Sequence, residues 1–193
     1  MPLAIAAGPA AAASDAGDPR ATAFMNELWN HALDLLNKKA PAAERQARFR
    51  ELFHRDFDTT GIARFVLGRY WRTTTPEEQK EFLKLFEDYV VYVYTARLSD
   101  FQGEQFKING ARTDHDSVIV SSDVTTPGAP QPLKVDWRLV NDDGAYKISD
   151  VIVEGVSMLV TQRSEFASVI QRHGGQVQGL IELMRERTAS AAQ

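Results

Sequence analysis

The sequence predicts an α+β domain in which helices pack on one face of a curved antiparallel sheet. Three observations support this fold class. Apolar residues recur every three or four positions over residues 24–98, as they do on amphipathic helices. The period changes to two over residues 106–153, as expected of strands with one buried face, and helical spacing returns over residues 166–184. This order is typical of α+β domains, and a curved sheet that clasps helices leaves room for a cavity.

Three helices are predicted before residue 70. The first ends before Pro41 and the second follows it, with phenylalanine and leucine side chains on one face and arginines on the other. Asp58 or Thr59 can accept the capping hydrogen bonds of the third helix. Gly68 is a weak point within or after that helix.

The fourth helix has the strongest start signal in the chain. Residues 75–78 read T-P-E-E, a capping box with proline at the first helical position. Residues 89–94 read Y-V-V-Y-V-Y, which alone favours a strand. We expect the helix to continue through this hexapeptide to Leu98, because the capped register carries through it and no turn signal interrupts.

Four strands and two closing helices are predicted in the second half. Apolar alternation places strands around residues 106–108, 118–120, 133–139 and 146–153. The segment P-G-A-P at 127–130 connects two of them, and N-D-D-G at 141–144 closes a hairpin, so the sheet is predicted to be antiparallel. The closing helices flank Gly174-Gly175.

Composition fits one globular domain of 193 residues, with 44% hydrophobic and 25% charged residues. A formal net charge of -4 argues against nucleic acid as a partner, and the absence of cysteine excludes disulfides and thiolate chemistry. Residues 1–14 read like the end of a secretory hydrophobic region, without a basic segment before it. We therefore predict that residues 1–20 are a signal-peptide remnant or a flexible tail and that residues 21–190 form a single domain.

Two strings carry a family resemblance. They are F-V-L-G-R-Y-W-R-x-x-T-P-E-E-Q, which starts at Phe65, and D-V-I-V-E-G-V-S-M-L-V-T-Q-R, which starts at Asp150. Together they resemble the MlaC-type periplasmic phospholipid-binding proteins, also called the toluene-tolerance family, over residues 21–181. The resemblance implies a cone of the nuclear-transport-factor type with an apolar pocket, and a single lipid-binding domain. It also implies a periplasmic carrier that shuttles phospholipid between an inner-membrane ABC transporter complex and an outer-membrane lipoprotein complex. A branch of the family linked to hopanoid lipids leaves a hopanoid-related ligand open.

The candidate lipid-binding residues come from two sources. The resemblance implies pocket positions at Phe65, Leu67, Tyr70, Trp71, Ile152, Val156, Met158 and Leu159. Apolar periodicity adds Phe86, Tyr89, Val93, Val135, Trp137 and Leu139, because their helix and strand carry more bulky apolar groups than one packing face needs. Any of these residues can instead be ordinary core.

One ion pair is expected inside the two strings. An acid that follows three β-branched residues must be paired or solvated, so we expect Glu154 to pair with Arg69, which is also the first candidate for a lipid headgroup. Asp150 and Glu154 lie four residues apart and would share one face of a continuous strand. We expect Asp150 to terminate that strand or to accept hydrogen bonds at its edge, and Ser157 to be structural.

Signals for catalysis, metals and cofactors are weak. The four histidines have no paired spacing for a metal, residues 155–159 lack the second glycine of a nucleophile elbow, and no phosphate-binding loop is present. We predict no cofactor and no enzymatic activity. Two alternatives stay open: a cone-fold enzyme that acts on an apolar substrate with Asp150, Glu154 or Tyr70 as acid or base, and an interaction module without a cavity.

Overall fold

The computed structural model of the chain describes residues 18–35, 40–98 and 104–189. All the helices and the four long strands expected from the sequence are present in these ranges, and the α+β prediction is confirmed. A short fifth strand was not predicted. The elements are α1 (Pro19–Leu35), α2 (Ala42–Asp56), α3 (Thr59–Leu67), a 3-10 helix (Gly68–Arg72), α4 (Pro76–Leu98), β1 (Gln105–Asp114), β2 (Ser117–Thr125), β3 (Leu133–Asp142), β4 (Ala145–Val153), β5 (Val156–Ser157), α5 (Met158–Arg172) and α6 (Gln178–Ala189).

The five strands form an antiparallel meander in the order β1-β2-β3-β4-β5. The β3–β4 hairpin turns where the sequence predicts it. Asp143 and Gly144 have φ angles of 47° and 91°, and the amide of Gly144 donates to Asn141 Oδ1 at 2.8 Å. Asparagine, aspartate and glycine are the residues that tolerate these left-handed conformations, which is why the turn could be read from the sequence.

A bulge interrupts β4 in its middle. Arg138 pairs with Asp150 while Leu139 pairs with Ile148, so Ser149 is an extra residue on the β4 side. An extra residue reverses the inside and outside alternation of a strand beyond that point. The bulge therefore decides which residues of β4 face the helices.

The predicted helix caps are confirmed. The amide of Thr75 donates to Glu78 Oε2 at 2.9 Å, and the amide of Glu78 donates to Thr75 Oγ1 at 3.2 Å, which completes the capping box of α4. Asp58 rather than Thr59 caps α3, accepting from the Gly61 amide at 2.9 Å. Gly68 ends α3 with a φ of 57°. The hexapeptide Y-V-V-Y-V-Y is helical, as expected.

The core lies between the helices and one face of the sheet. Among its fully buried side chains are Phe82 of α4, Leu139 of β3, Ile148 of β4 and Leu180 of α6. Within the described ranges, no helix has both the length and the apolar character needed to cross a membrane.

Asp18 attaches the start of α1 to the sheet. Its Oδ1 accepts from the amides of Arg20 at 2.8 Å and Ala21 at 3.2 Å, as an N-cap does, and its Oδ2 accepts from the hydroxyl of Tyr146 on β4. These hydrogen bonds hold the pKa of Asp18 below its usual value; the bond from Tyr146 has the largest effect and the bonds from the two amides have smaller ones. One carboxylate thus joins the first helix to the β3–β4 hairpin.

We expect Asp18→Ala to lower the free energy of unfolding by about 1–2 kcal/mol at pH 7, because the cap and the tie to Tyr146 are both lost. A carboxyl whose folded pKa is depressed stabilises above its unfolded pKa, and this contribution disappears as the pH falls through the folded value. The difference between wild type and variant in urea denaturation should therefore be full at pH 7 and smaller below about pH 4. Asp18→Asn, which keeps a capping oxygen, should lose less. If the difference in free energy of unfolding between wild type and Asp18→Ala did not change with pH, the proposed role of the Asp18 carboxylate would be wrong.

Candidate functional site

A partly open cavity of about 340 Å³ lies between the helices and the sheet. Its walls come from the end of α2, from α3, α4, β3 and β4, and from the first turns of α5. Seventeen residues line it: Phe49, Phe53, Phe57, Ile62, Val66, Phe86, Val90, Tyr94, Trp137, Ile148, Ser149, Asp150, Val151, Val153, Met158, Leu159 and Gln162.

The lining is almost entirely apolar or aromatic. Fourteen of the seventeen residues are of these types, which fits a hydrocarbon ligand rather than a polar one. The indole of Trp137 also presents an apolar face, because its N–H donates to the Ser122 hydroxyl at 2.9 Å. The remaining three, Ser149, Asp150 and Gln162, have polar side chains, and Tyr94 adds a hydroxyl.

Half-buried residues line the cavity where β4 ends and α5 begins. Phe49, Phe53 and Phe86, which line it from α2 and α4, are buried. Leu159 and Gln162 of α5 are only half-buried, as are the lining residues at the end of β4. Phe57, Ile62, Tyr94 and Trp137 are half-buried too, so the junction of β4 and α5 is one of the places where solvent reaches the lining.

Asp150 holds this junction together. Its Oδ2 accepts from the Ser157 hydroxyl at 2.6 Å and its Oδ1 accepts from the Leu159 amide at 3.2 Å. Ser157 in turn caps α5, since its hydroxyl oxygen accepts from the Val160 amide at 3.0 Å. The expectations that Asp150 accepts hydrogen bonds and that Ser157 is structural are confirmed.

The predicted ion pair between Arg69 and Glu154 is wrong. Glu154 and Gly155 form a tight turn after β4, with φ angles of 50° and 79°, and Glu154 Oε1 accepts from the Lys134 amide at 2.6 Å. Arg69 Nη2 donates to the Tyr70 hydroxyl at 2.9 Å and thereby lowers the pKa of Tyr70. The expectation that Asp150 and Glu154 share a strand face is also wrong, because the strand has ended before Glu154.

The cavity brings together four of the fourteen candidate lipid-binding residues: Phe86, Trp137, Met158 and Leu159. Four others, Leu67, Tyr70, Val135 and Leu139, are buried in the core outside its lining. Trp71, Tyr89, Val93 and Ile152 are half-buried outside it. Phe65 and Val156 lie at the surface, 38% and 53% exposed. Contact of these ten residues with a lipid remains a prediction, but they do not line the cavity as the structure has it.

Two signals would have found more of the lining. The first is a stripe at four-residue spacing on α4, made of Phe82, Phe86, Val90 and Tyr94, and the last three of these line the cavity. Tyr89 and Val93, which were predicted instead, belong to a neighbouring stripe. Ile62 and Val66 repeat the same spacing on α3. Val151 and Val153 line the cavity, whereas the predicted Ile152 does not. This follows from the bulge at Ser149, which no local sequence pattern indicates.

A metal centre is not among the features of the site. Within residues 18–35, 40–98 and 104–189, no three histidine, aspartate or glutamate side chains come close enough together to hold an ion.

Comparison with protein families identifies the chain. The family model described as MlaC protein matches residues 26–186, most of the sequence. The chain belongs to the MlaC family. This confirms the resemblance carried by the two strings, and the family match includes every residue of the cavity lining.

Two curated relatives agree with the MlaC assignment. The Haemophilus influenzae protein named intermembrane phospholipid transport system binding protein MlaC is 26% identical over 132 residues, 66% of this chain and 59% of that protein. The Pseudomonas putida toluene tolerance protein ttg2D is 28% identical over 139 residues, 70% of this chain and 64% of that protein. The matches thus span less than two thirds of the length of either relative.

A solved structure shows the same fold. The phospholipid-binding protein from Ralstonia solanacearum, determined in complex with a phospholipid, aligns with a TM-score of 0.73 at 24% identity. The alignment covers 89% of this chain and 98% of the Ralstonia chain. The helices-on-sheet architecture of this chain is therefore also found in a solved structure.

We expect Asp150 to act structurally. Asp150→Ala should lower the free energy of unfolding by about 1–3 kcal/mol, because the Leu159 amide and the Ser157 hydroxyl lose their acceptor. In a double-mutant cycle with Ser157→Ala, the two changes should be coupled by about 0.5 kcal/mol or more, measured by urea denaturation. Strictly additive losses would show that the bond between these side chains does not stabilise the fold.

Proposed function

We propose that this chain is a periplasmic carrier that binds the acyl chains of a phospholipid in the cavity between its helices and its sheet. The observation that carries the proposal is the lining itself, with fourteen apolar or aromatic residues of seventeen around a partly open hollow. The names of the Haemophilus and Pseudomonas relatives and the phospholipid held by the Ralstonia protein support the choice of ligand.

The size of the cavity sets how a lipid can be accommodated. Ligand pockets usually measure about 300–1,000 Å³, and a cavity of about 150 Å³ holds one benzene molecule. At about 340 Å³ the hollow has room for part of a pair of acyl chains. A two-chain lipid would fill it, and its headgroup would lie outside in solvent at the junction of β4 and α5.

An apolar lining of this kind is enough for transport without catalysis. Each buried methylene contributes about 0.8 kcal/mol, and the cavity supplies this contribution for the part of the acyl chains that it holds. A bilayer supplies a similar amount. A carrier that matches the membrane can therefore exchange lipid at nearly balanced free energy, and partner complexes can set the direction.

The proposed partners follow from family membership. A carrier of this family would exchange lipid with an inner-membrane ABC transporter complex and with an outer-membrane lipoprotein complex. The word "intermembrane" in the name of the Haemophilus relative supports that route.

The competing functions have less support. A ligand-free interaction module would have no cavity, whereas this chain has one. An enzyme with a cavity carboxylate would use Asp150, but both oxygens of Asp150 already accept hydrogen bonds from Ser157 and Leu159. Glu154 lies in the turn outside the lining, where its carboxylate accepts from the Lys134 amide.

Native mass spectrometry of freshly purified protein, followed by solvent extraction, tests the carrier proposal. We expect bound species with phospholipid masses. A hopanoid-related mass would keep the carrier function and change the ligand class. Protein that is empty after mild purification and takes up no phospholipid from vesicles would exclude the proposed function.

A cavity-filling substitution tests where the chains bind. Val151→Phe places a ring in the lining, and overpacking of an apolar core typically costs about 1–3 kcal/mol, so phospholipid affinity should fall about fivefold or more. Leu133→Phe introduces the same ring at an exposed position of β3, outside the lining and outside the set of candidate lipid-binding residues, and should leave affinity unchanged. Equal effects of the two variants in a lipid uptake assay would place the acyl chains elsewhere.

A further inference from the structure

Arg163 of α5 lies across the gap between two helices that line the cavity. Its guanidinium stacks on the ring of Phe65 of α3, 5.0 Å from the ring centroid. It also packs against Gly68, where an added Cβ would meet Arg163 Nε at 2.8 Å. The 57° φ of Gly68 and the absence of a side chain there keep the space that the guanidinium occupies.

This position is next to a partly exposed section of the cavity lining. Arg163 directly follows Gln162 and lies one helical turn after Leu159, and both of those residues line the cavity. On the other side of the gap, Phe65 lies beside Val66, a lining residue of α3. Arg163 itself is exposed to solvent.

Arg163 differs from the paired arginines of the protein. Arg50 binds Glu87 and Asp88, Arg138 binds Asp114, and Arg185 binds Glu81. In the described part of the chain, Arg163 forms neither an ion pair nor a hydrogen bond, so all five of its N–H donors are available.

The nearest acids along the chain are already engaged. Glu165 accepts from Gln162 Nε2 at 3.1 Å, and Glu154 accepts from the Lys134 amide. The guanidinium is therefore held in place by a ring and a glycine rather than by a carboxylate. That arrangement orients a cation while leaving it free for an external anion.

We propose that Arg163 binds the phosphate of the carried lipid where the headgroup leaves the cavity, with Phe65 as the residue that positions the guanidinium. This inference rests on the proposed carrier function. It deepens that function by assigning a phosphate contact to a named side chain, since a planar guanidinium matches two phosphate oxygens. A phosphate dianion from solvent could offer the same chemistry, so the test separates the two sources.

The experiment compares two ligands with the same pair of oleoyl chains: dioleoyl phosphatidylglycerol and dioleoylglycerol, which lacks the phosphate. Affinities of delipidated protein are measured for each. We expect wild type to prefer the phospholipid by about tenfold. Arg163→Gln should reduce that preference to about twofold or less while affinity for dioleoylglycerol stays the same, which also shows that the variant is folded.

Three further variants sharpen the test. Arg172→Gln removes an exposed arginine from the same helix, away from the cavity lining, and should keep the full preference. Arg163→Lys keeps the charge without the planar fork and should retain part of it. Phe65→Leu keeps Arg163 but removes the aromatic ring on which its guanidinium stacks, and should lose part of the preference for the phospholipid.

The outcomes distinguish this inference from the carrier function. If wild type binds neither lipid, both fail. If wild type binds the two lipids equally, or if Arg163→Gln keeps the preference, the carrier function stands and the role of Arg163 is excluded. A third arm titrates inorganic phosphate alone and follows the side-chain Nε–H signal of Arg163 by NMR. A shift as large as that caused by phosphatidylglycerol would show an anion site independent of the lipid and overturn the assignment.

Discussion

The hydrogen bonds of the Asp150 carboxylate fix the geometry on which the cavity depends. They join β4 to the first turn of α5 through the Ser157 hydroxyl and the Leu159 amide. The strand and the helix each supply part of the wall, since Val151 and Leu159 both line the hollow. Without this connection the first turn of α5 would lose its attachment to β4, and the shape of the hollow between them would change.

Glu154, in the turn between β4 and β5, also stabilises the junction of β4 and α5. A non-glycine residue at a φ of 50° carries a conformational cost of about 1–3 kcal/mol. Two hydrogen bonds to Lys134 of β3 offset it: the Glu154 amide donates to the Lys134 carbonyl at 2.9 Å, and its carboxylate accepts from the Lys134 amide at 2.6 Å. The acid in an otherwise apolar run is thus a turn residue that anchors the end of β4 to the neighbouring strand. It needs no arginine partner.

Short-range signals explain what could be read from the sequence. The capping box at Thr75, the end of α3 at Gly68 and the hairpin at Asn141 each depend on a few adjacent residues, so the elements and the fold class were predictable. Which stripe of α4 faces the cavity depends on how the helix packs against the neighbouring elements. The sequence does not show that packing, and apolar periodicity therefore predicted Tyr89 where Val90 lines the cavity. The bulge at Ser149 depends on pairing with β3, a long-range contact without a local signature.

In the proposed carrier, the apolar lining supplies most of the affinity for a lipid, and a polar group at the surface supplies the selectivity. Apolar contacts inside the cavity resemble those in a bilayer, so they hold acyl chains without distinguishing one phospholipid from another. Discrimination needs a polar group that reaches the headgroup, and the exposed side of the cavity has a guanidinium held on Phe65. Because that guanidinium is solvated, its contribution is modest beside the burial of two chains. In such a carrier, a modest headgroup contact would allow recognition of a phosphate together with release of the lipid to a membrane.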